Sequence, residues 1–213
     1  MYRGKRVLFI APHTDDVELG CGATMARFIE EEIDIFIAAF STAEESLPDG
    51  VKPGTLKREF MNAVCKVLSI PVDRLHIYDY PVRRLSYHRQ EVLEDLVKLK
   101  RNIKPDIVFT PSGNDLHQDH QVLYNEALRA FKDKTLFGYE LPWNHIEFSA
   151  QAFVVLQQRH IQKKWEALQQ YRTQLELKRP YFTYGFVESL ARVRGIQVKE
   201  DYAEAFEIIR AKI

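Results

Sequence analysis

Hydrophobic positions along this 213-residue chain follow two rhythms. Short unbroken runs, "KRVLFIAP" at 5–12 and "IDIFIAAFST" at 33–42, have the β-branched and aromatic make-up of strands covered on both faces. Between and after them the apolar residues recur every three or four positions. "ATMARFIEEE" predicts a helix at 23–32, and "TLKREFMNAVCKVLS" predicts another at 55–69 with Phe60, Val64, Val67 and Leu68 on one face. The alternation continues with strands at 74–81, 105–112 and 135–143 and helices at 89–104 and 121–133. Strands alternating with helices predict a Rossmann-like α/β fold, a mostly parallel sheet covered by helices on both faces and joined by right-handed crossovers. Beyond Asn144 the rhythm changes to a strand at 150–157, one long charged helix at 161–178 and a closing strand at 203–213. No Pro- or Gly-rich linker separates this part. The expectation is a single domain over 1–213, with a core at 1–144 and a carboxy-terminal extension at 145–213 packed on it.

Composition narrows the partners. Thirty basic residues balance thirty acidic ones, which removes the basic bias expected of a nucleic-acid partner or an anionic membrane surface and favours a small molecule. The two cysteines, Cys21 and Cys65, form no CxxC, and the start lacks the pattern of a secretory signal, so a cytoplasmic location is expected. The longest apolar stretch, 33–40, is too short for membrane insertion as a spanning helix, which takes about 20 residues.

The polar chemistry is concentrated in two places. "HTDD", His13 to Asp16, follows the first strand, and "NDLHQDH", Asn114 to His120, follows the fourth. In the doubly wound order 3-2-1-4-5, strands one and four lie side by side and ligands bind outside their carboxyl ends, so the two clusters are predicted to share one pocket. A dinucleotide site is disfavoured, because "GCGATM" has Met25 at the third glycine position and no acidic residue ends strand two; no G-K-S/T P-loop exists either. Two imidazoles and one carboxylate leave coordination positions open and suit a catalytic zinc, with iron as the alternative ion. His13, Asp16 and His120 can make that set, whereas a closed structural site would need more thiolates than the chain has.

His13-Thr14-Asp15-Asp16 before a Gly-rich stretch, and His117-Gln118-Asp119-His120 after a later strand, resemble the two signature motifs of the LmbE-like, or PIG-L, deacetylase family. The likeness extends through "RQEVLEDL", "PDIVFTPSGNDLHQDH", "GYELPWN", "KKWEALQQYRTQ" and "AEAFEIIR". It implies a zinc-dependent hydrolase that removes an N-acetyl group from an N-acetylglucosamine-type amino-sugar conjugate, with homo-oligomers common among relatives. By resemblance, His13, Asp16 and His120 hold the metal, Asp15 is the general base and His117 faces the substrate. Asp119 is then expected to orient His117, as carboxylates fix imidazole tautomers, and a protonated His117 to stabilise the oxyanion. Thr14 stands where Pro is usual and Val17 where Glu is frequent, and neither removes a ligand or the base. Asp115 stands where some relatives carry a tyrosine.

Substrate contacts are expected from Arg83, after strand three, and from Glu140, Trp143 and Asn144, after strand five, with Trp143 stacking on a sugar face. His76, His88, His145 and His160 read as surface or satisfied polar residues, and Cys21 as a small buried hydrophobe. Alternatives are an esterase or acylase acting on a non-sugar substrate, and a catalytically silent ligand-binding relative.

Overall fold

A computed structural model describes residues 4–212. Its first strand shows how the fold is specified. In β1 (Arg6–His13), Val7, Phe9 and Ala11 enter the hydrophobic cluster on one face of the sheet, and Leu8 and Ile10 enter the cluster on the other. Side chains alternate across a strand, so a run apolar at every position is buried on both faces. The remaining strands are β2 (Asp34–Ser41), β3 (Leu75–Ile77), β4 (Ile107–Pro111), β5 (Thr135–Tyr139), β6 (Ala152–Leu156) and β7 (Tyr202–Arg210). They form one seven-stranded sheet in the order β3-β2-β1-β4-β5-β7-β6. The first five are parallel, in the predicted order, and β7 and β6 extend the sheet antiparallel.

Two helices, α3 (Arg89–Ile103) and α4 (Gln118–Ala130), pack on the face carrying Leu8 and Ile10. On the other face lie α1 (Asp16–Glu30), α2 (Thr55–Met61, continued by a π turn over Asn62–Val67), α5 (Gln158–Leu168), α6 (Arg172–Glu176) and α7 (Tyr184–Ile196). Three expectations are corrected. The first helix begins at Asp16, so the last residue of the first motif is already helical. The helix expected at 161–178 is two helices, α5 and α6, parted at Gln169–Tyr171. Helix α7 was not expected at all.

The Gly-x-Gly of α1 turns out to be a packing device. A Cβ on Gly20 would stand 2.5 Å from Tyr139 Cδ2, and one on Gly22 would stand 2.7 Å from Lys164 Cγ. Lys164 is buried, donates to the Leu19 carbonyl at 2.6 Å and pairs with Glu204 at 2.7 Å. Glu204 in turn accepts from the Ala23 and Thr24 amides. The carboxy-terminal region is thereby joined to the helix that carries the first motif, as a structural part of the core. Among the described residues, no helix is long and apolar enough to cross a membrane.

Candidate metal centre and active site

The carboxyl ends of β1 and β4 bring the two polar clusters together. His13 closes β1, Asp15 sits at the cap of α1, and Asp16 opens that helix. His117 caps α4, whose first turn carries Asp119 and His120. Three donor atoms face one another in a nearly equilateral triangle. His13 Nδ1 lies 3.1 Å from Asp16 Oδ2, Asp16 Oδ2 lies 3.3 Å from His120 Nε2, and the two nitrogens are 3.4 Å apart. A tetrahedral ion with ligand bonds of about 2.0–2.1 Å has edges of about 3.3–3.4 Å, so the spacing fits. His117 is the outer neighbour: ring nitrogens of His13, His117 and His120 all lie within 4.8 Å of one another.

The remaining ring nitrogens are each held by a carboxylate, which fixes the inward nitrogen as the one that can become a ligand. His13 Nε2 is 3.0 Å from Asp119 Oδ2, and His120 Nδ1 is 2.7 Å from Asp115 Oδ2. Each imidazole gives its N–H to a buried carboxylate and turns its other nitrogen inward, the arrangement that sets tautomer and basicity in metal-bound histidines. Once the two inward nitrogens give up their protons, two lone pairs and a carboxylate oxygen converge on a space that a cation can fill. The same demand shows in proton affinity. Burial disfavours the His13 cation, but the hydrogen bonds from Asp119 and Asp16 outweigh it and push the group up to about 9. His120 behaves alike: burial is outweighed by Asp16 and Asp115, giving about 10. Against its own burial, Asp16 is held well below the usual carboxylate range by His120 and His13.

Asp15 is half-buried and differs from its neighbour. Burial first, and then the charge of Asp16, push it up to about 6, with His13 and Arg179 opposing. Two adjacent carboxylates are thus driven apart, one locked as an anion and one poised to exchange a proton near neutral pH, a pattern that marks acid and base roles.

Several expected roles are corrected. The Asp119 carboxylate does not reach the His117 ring: it accepts from His13, from the Arg83 amide at 2.5 Å and from the Leu85 amide at 3.1 Å. The link between Asp119 and His117 runs the other way, the Asp119 amide donating to His117 Nδ1 at 3.2 Å. His117 therefore keeps its proton on Nε2. Burial, together with the nearby His120 and His13, lowers it to about 4, so it is a neutral donor rather than the protonated one expected. Glu140 is paired with Arg194 of α7 and does not offer a free carboxylate to a sugar. Trp143 has one face covered by Tyr181, with centroids 3.8 Å apart and planes within 11°. Asn144 turns its amide to Asp115 Oδ2 at 3.4 Å, supporting the partner of His120. Arg83 retains an exposed guanidinium, 3.4 Å from Ser46 Oγ, on a backbone held at φ 64°.

Asp115, Tyr171, Arg179 and Tyr181 were not singled out as site residues from sequence. A carboxylate five positions before a ligand-type histidine was the available signal for Asp115. The others come from segments with no local mark of chemistry.

Imidazoles braced by carboxylates at the carboxyl edge of a doubly wound sheet have the make-up of a metal-binding site, and the family to which the chain belongs makes it an enzyme that hydrolyses amides. It is a member of the PIG-L (LmbE-like) family: the family profile, described as GlcNAc-PI de-N-acetylase, matches residues 8–131, more than half of the chain. An uncharacterized deacetylase of Escherichia coli, YaiS, is 29% identical over 175 residues, covering 79% of this chain and 91% of its own length. A conserved protein of Thermus thermophilus shares the fold at a TM-score of 0.82 and 24% identity, over 98% of this chain and 96% of its own. The N,N'-diacetylchitobiose deacetylase of Pyrococcus horikoshii superposes at a TM-score of 0.79 and 20% identity, over 96% of this chain and 84% of its own.

Proposed function

We propose that this enzyme is a zinc-dependent N-deacetylase of an N-acetylglucosamine-type amino-sugar conjugate. His13, Asp16 and His120 hold the ion, and Asp15 is the base. The observation that carries the reading is the triangle of inward-facing donors, with a carboxylate behind each imidazole. A bound ion of this kind supplies Lewis acidity and lowers the pKa of its water to about 7.

The chain's own groups do the rest. Asp15, its proton affinity raised by burial and by Asp16, takes the proton of the attacking water and returns it to the leaving amine. His117 offers Nε2–H to the oxygen on which charge develops, and a well-aimed donor of this kind is worth about 3–4 kcal/mol in other hydrolases. Asp119 and Asp115 keep His13 and His120 in the required tautomers. Arg83 reaches hydroxyl or anionic groups of the conjugate from the mouth, its backbone fixed by the Asp119 carboxylate. The sugar specificity is supported by the family description and by the diacetylchitobiose enzyme of the same fold.

The test is metal analysis of the purified protein, joined to assays of acetate and free amine released from a panel of N-acetylglucosaminyl conjugates and of non-sugar amides and esters. Stoichiometric divalent metal with turnover confined to the sugar amides is expected. Protein without divalent metal, or turnover confined to non-sugar substrates, would overturn the reading.

A further inference from the structure

We infer that Tyr171 is a positioning residue for the proposed base: its phenol holds the Thr14 carbonyl and so fixes the peptide plane from which Asp15 projects. The inference rests on the assignment of Asp15 made above. Tyr171 lies between α5 and α6, 1% exposed, its hydroxyl bonded to the Thr14 carbonyl oxygen and 2.7 Å from Glu18 Oε1. Thr14 is the residue between a metal-ligand candidate and the base, and its carbonyl shares a rigid plane with the Asp15 amide. Turning that plane swings the Cα–Cβ bond of Asp15.

The other members of the turn have restraints of their own. His13 is held through its ring by Asp119, and its amide donates to Asp16 Oδ2 at 2.8 Å. Asp16 is held by both imidazoles. Asp15 differs: its side chain makes no cap bond, and among the described residues no other side chain donates a hydrogen bond to it. Its aim therefore depends on the backbone, which is fixed ahead of Asp15 by Tyr171 and behind it by the Leu19 amide on the Asp15 carbonyl at 3.0 Å.

The phenol can act as a fixed point because its own segment is tied down twice. Glu59 of α2 accepts from the Thr173 amide at 3.1 Å and from its hydroxyl at 2.6 Å, and Phe182 packs edge-on against the Tyr171 ring. This bracing comes from the carboxy-terminal extension, whose "QQYRTQ" stretch the proposed chemistry otherwise leaves without a role.

The experiment compares wild type, Y171F, E59Q and L99A as metal-loaded enzymes, with kcat expressed per folded molecule. Leu99 lies in the core on the opposite face of the sheet, so L99A controls for lost stability. Because small misplacements of a catalytic group cost up to about 100-fold, Y171F should lower kcat by about tenfold or more. KM and metal Kd should stay within about twofold, the pattern of an interaction felt only in the transition state. E59Q, which loosens the segment and leaves the phenol in place, should give a smaller fall of the same kind, and it carries the test alone if Y171F does not fold. L99A should leave kcat unchanged. The inference is overturned if kcat stays within about twofold of wild type in the foldable variants, if L99A loses as much, or if the loss follows metal affinity. An active D15N would instead defeat the base assignment, so the two failures are distinguishable.

Discussion

Replacing Asp119 with Asn separates two accounts of this site. Asp119 is fully buried, and its carboxylate accepts three N–H groups: His13 and the Arg83 amide on Oδ2, the Leu85 amide on Oδ1. Asparagine keeps one acceptor oxygen and puts an NH2 group where the other stood. If the oxygen stays with His13 and Arg83, the NH2 faces the Leu85 amide; if the amide flips, it faces the other two donors. In either orientation at least one buried donor is orphaned, at about 1–3 kcal/mol. For a chain of this size each kcal/mol moves Tm by about 2–4 °C, so metal-free D119N should melt about 2–12 °C below wild type.

The larger effect falls on the ion. Removing the carboxylate behind a metal-bound imidazole typically costs about 10–100-fold in affinity, so chelator competition should show the metal Kd of D119N raised by that factor. At saturating metal most of kcat should return. If Asp119 served to orient His117, as adjacency in sequence suggests, the result would be reversed: unchanged metal affinity and a kcat that added metal does not restore. That outcome would refute the hydrogen-bond pattern from which the prediction is worked.

Other consequences can be measured on the same preparations. D15N should abolish turnover of acetyl amides while retaining the ion, read by metal content alongside acetate release. Metal binding near pH 7 should expel close to two protons, because His13 and His120 are pushed up to about 9 and about 10 without metal; calorimetry in buffers of different ionisation enthalpy counts them. The sign for stability follows. Histidines raised above about 6.5 stabilise the metal-free fold fully below that pH, and this contribution is lost as pH rises through 9 to 10, so the melting gap between metal-loaded and metal-free protein should widen between those limits. G22A should cost about 1–3 kcal/mol by denaturant unfolding, since its Cβ would press on the Lys164 stem inside the core.

The strand order and the meeting of the two motifs were legible because they depend on periodicity and on the adjacency of strands one and four. Partnerships within the site were not. His117 and Asp119 are two positions apart at the start of α4, and side chains at that spacing on a helix do not face each other, so nearness in sequence pointed the carboxylate at the wrong ring. The break between α5 and α6 has no Gly or Pro to announce it. It occurs where Glu59, more than a hundred residues earlier, takes the Thr173 amide and where Tyr171 turns inward to Thr14. Helix α7 carries Gly185 and Gly195, which weaken its local signal; Gly195 is required by packing, since a Cβ there would stand 2.6 Å from the Glu200 carbonyl oxygen. Glu140 was misread because its partner, Arg194, lies on that unrecognised helix.

The charge count of the site ties metal, protons and folding together. Asp15, Asp16, Asp115 and Asp119 meet three imidazoles at the end of two buried strands, in a chain whose formal charges cancel only when these four are counted. With neutral rings and ionised carboxylates, this one corner would gather four negative charges against the partial relief that Arg179 gives Asp15, and burying even one unpaired charge is prohibitive. Two remedies exist. Protonating His13 and His120 supplies two positive charges and accounts for their raised affinity for protons; a divalent ion supplies the same two charges at a single point and frees both rings to act as ligands. With both rings protonated, burial and the charge of Asp16 still outweigh His13 and Arg179 at Asp15 and raise its proton affinity to about 6, into the range where it can accept and release a proton.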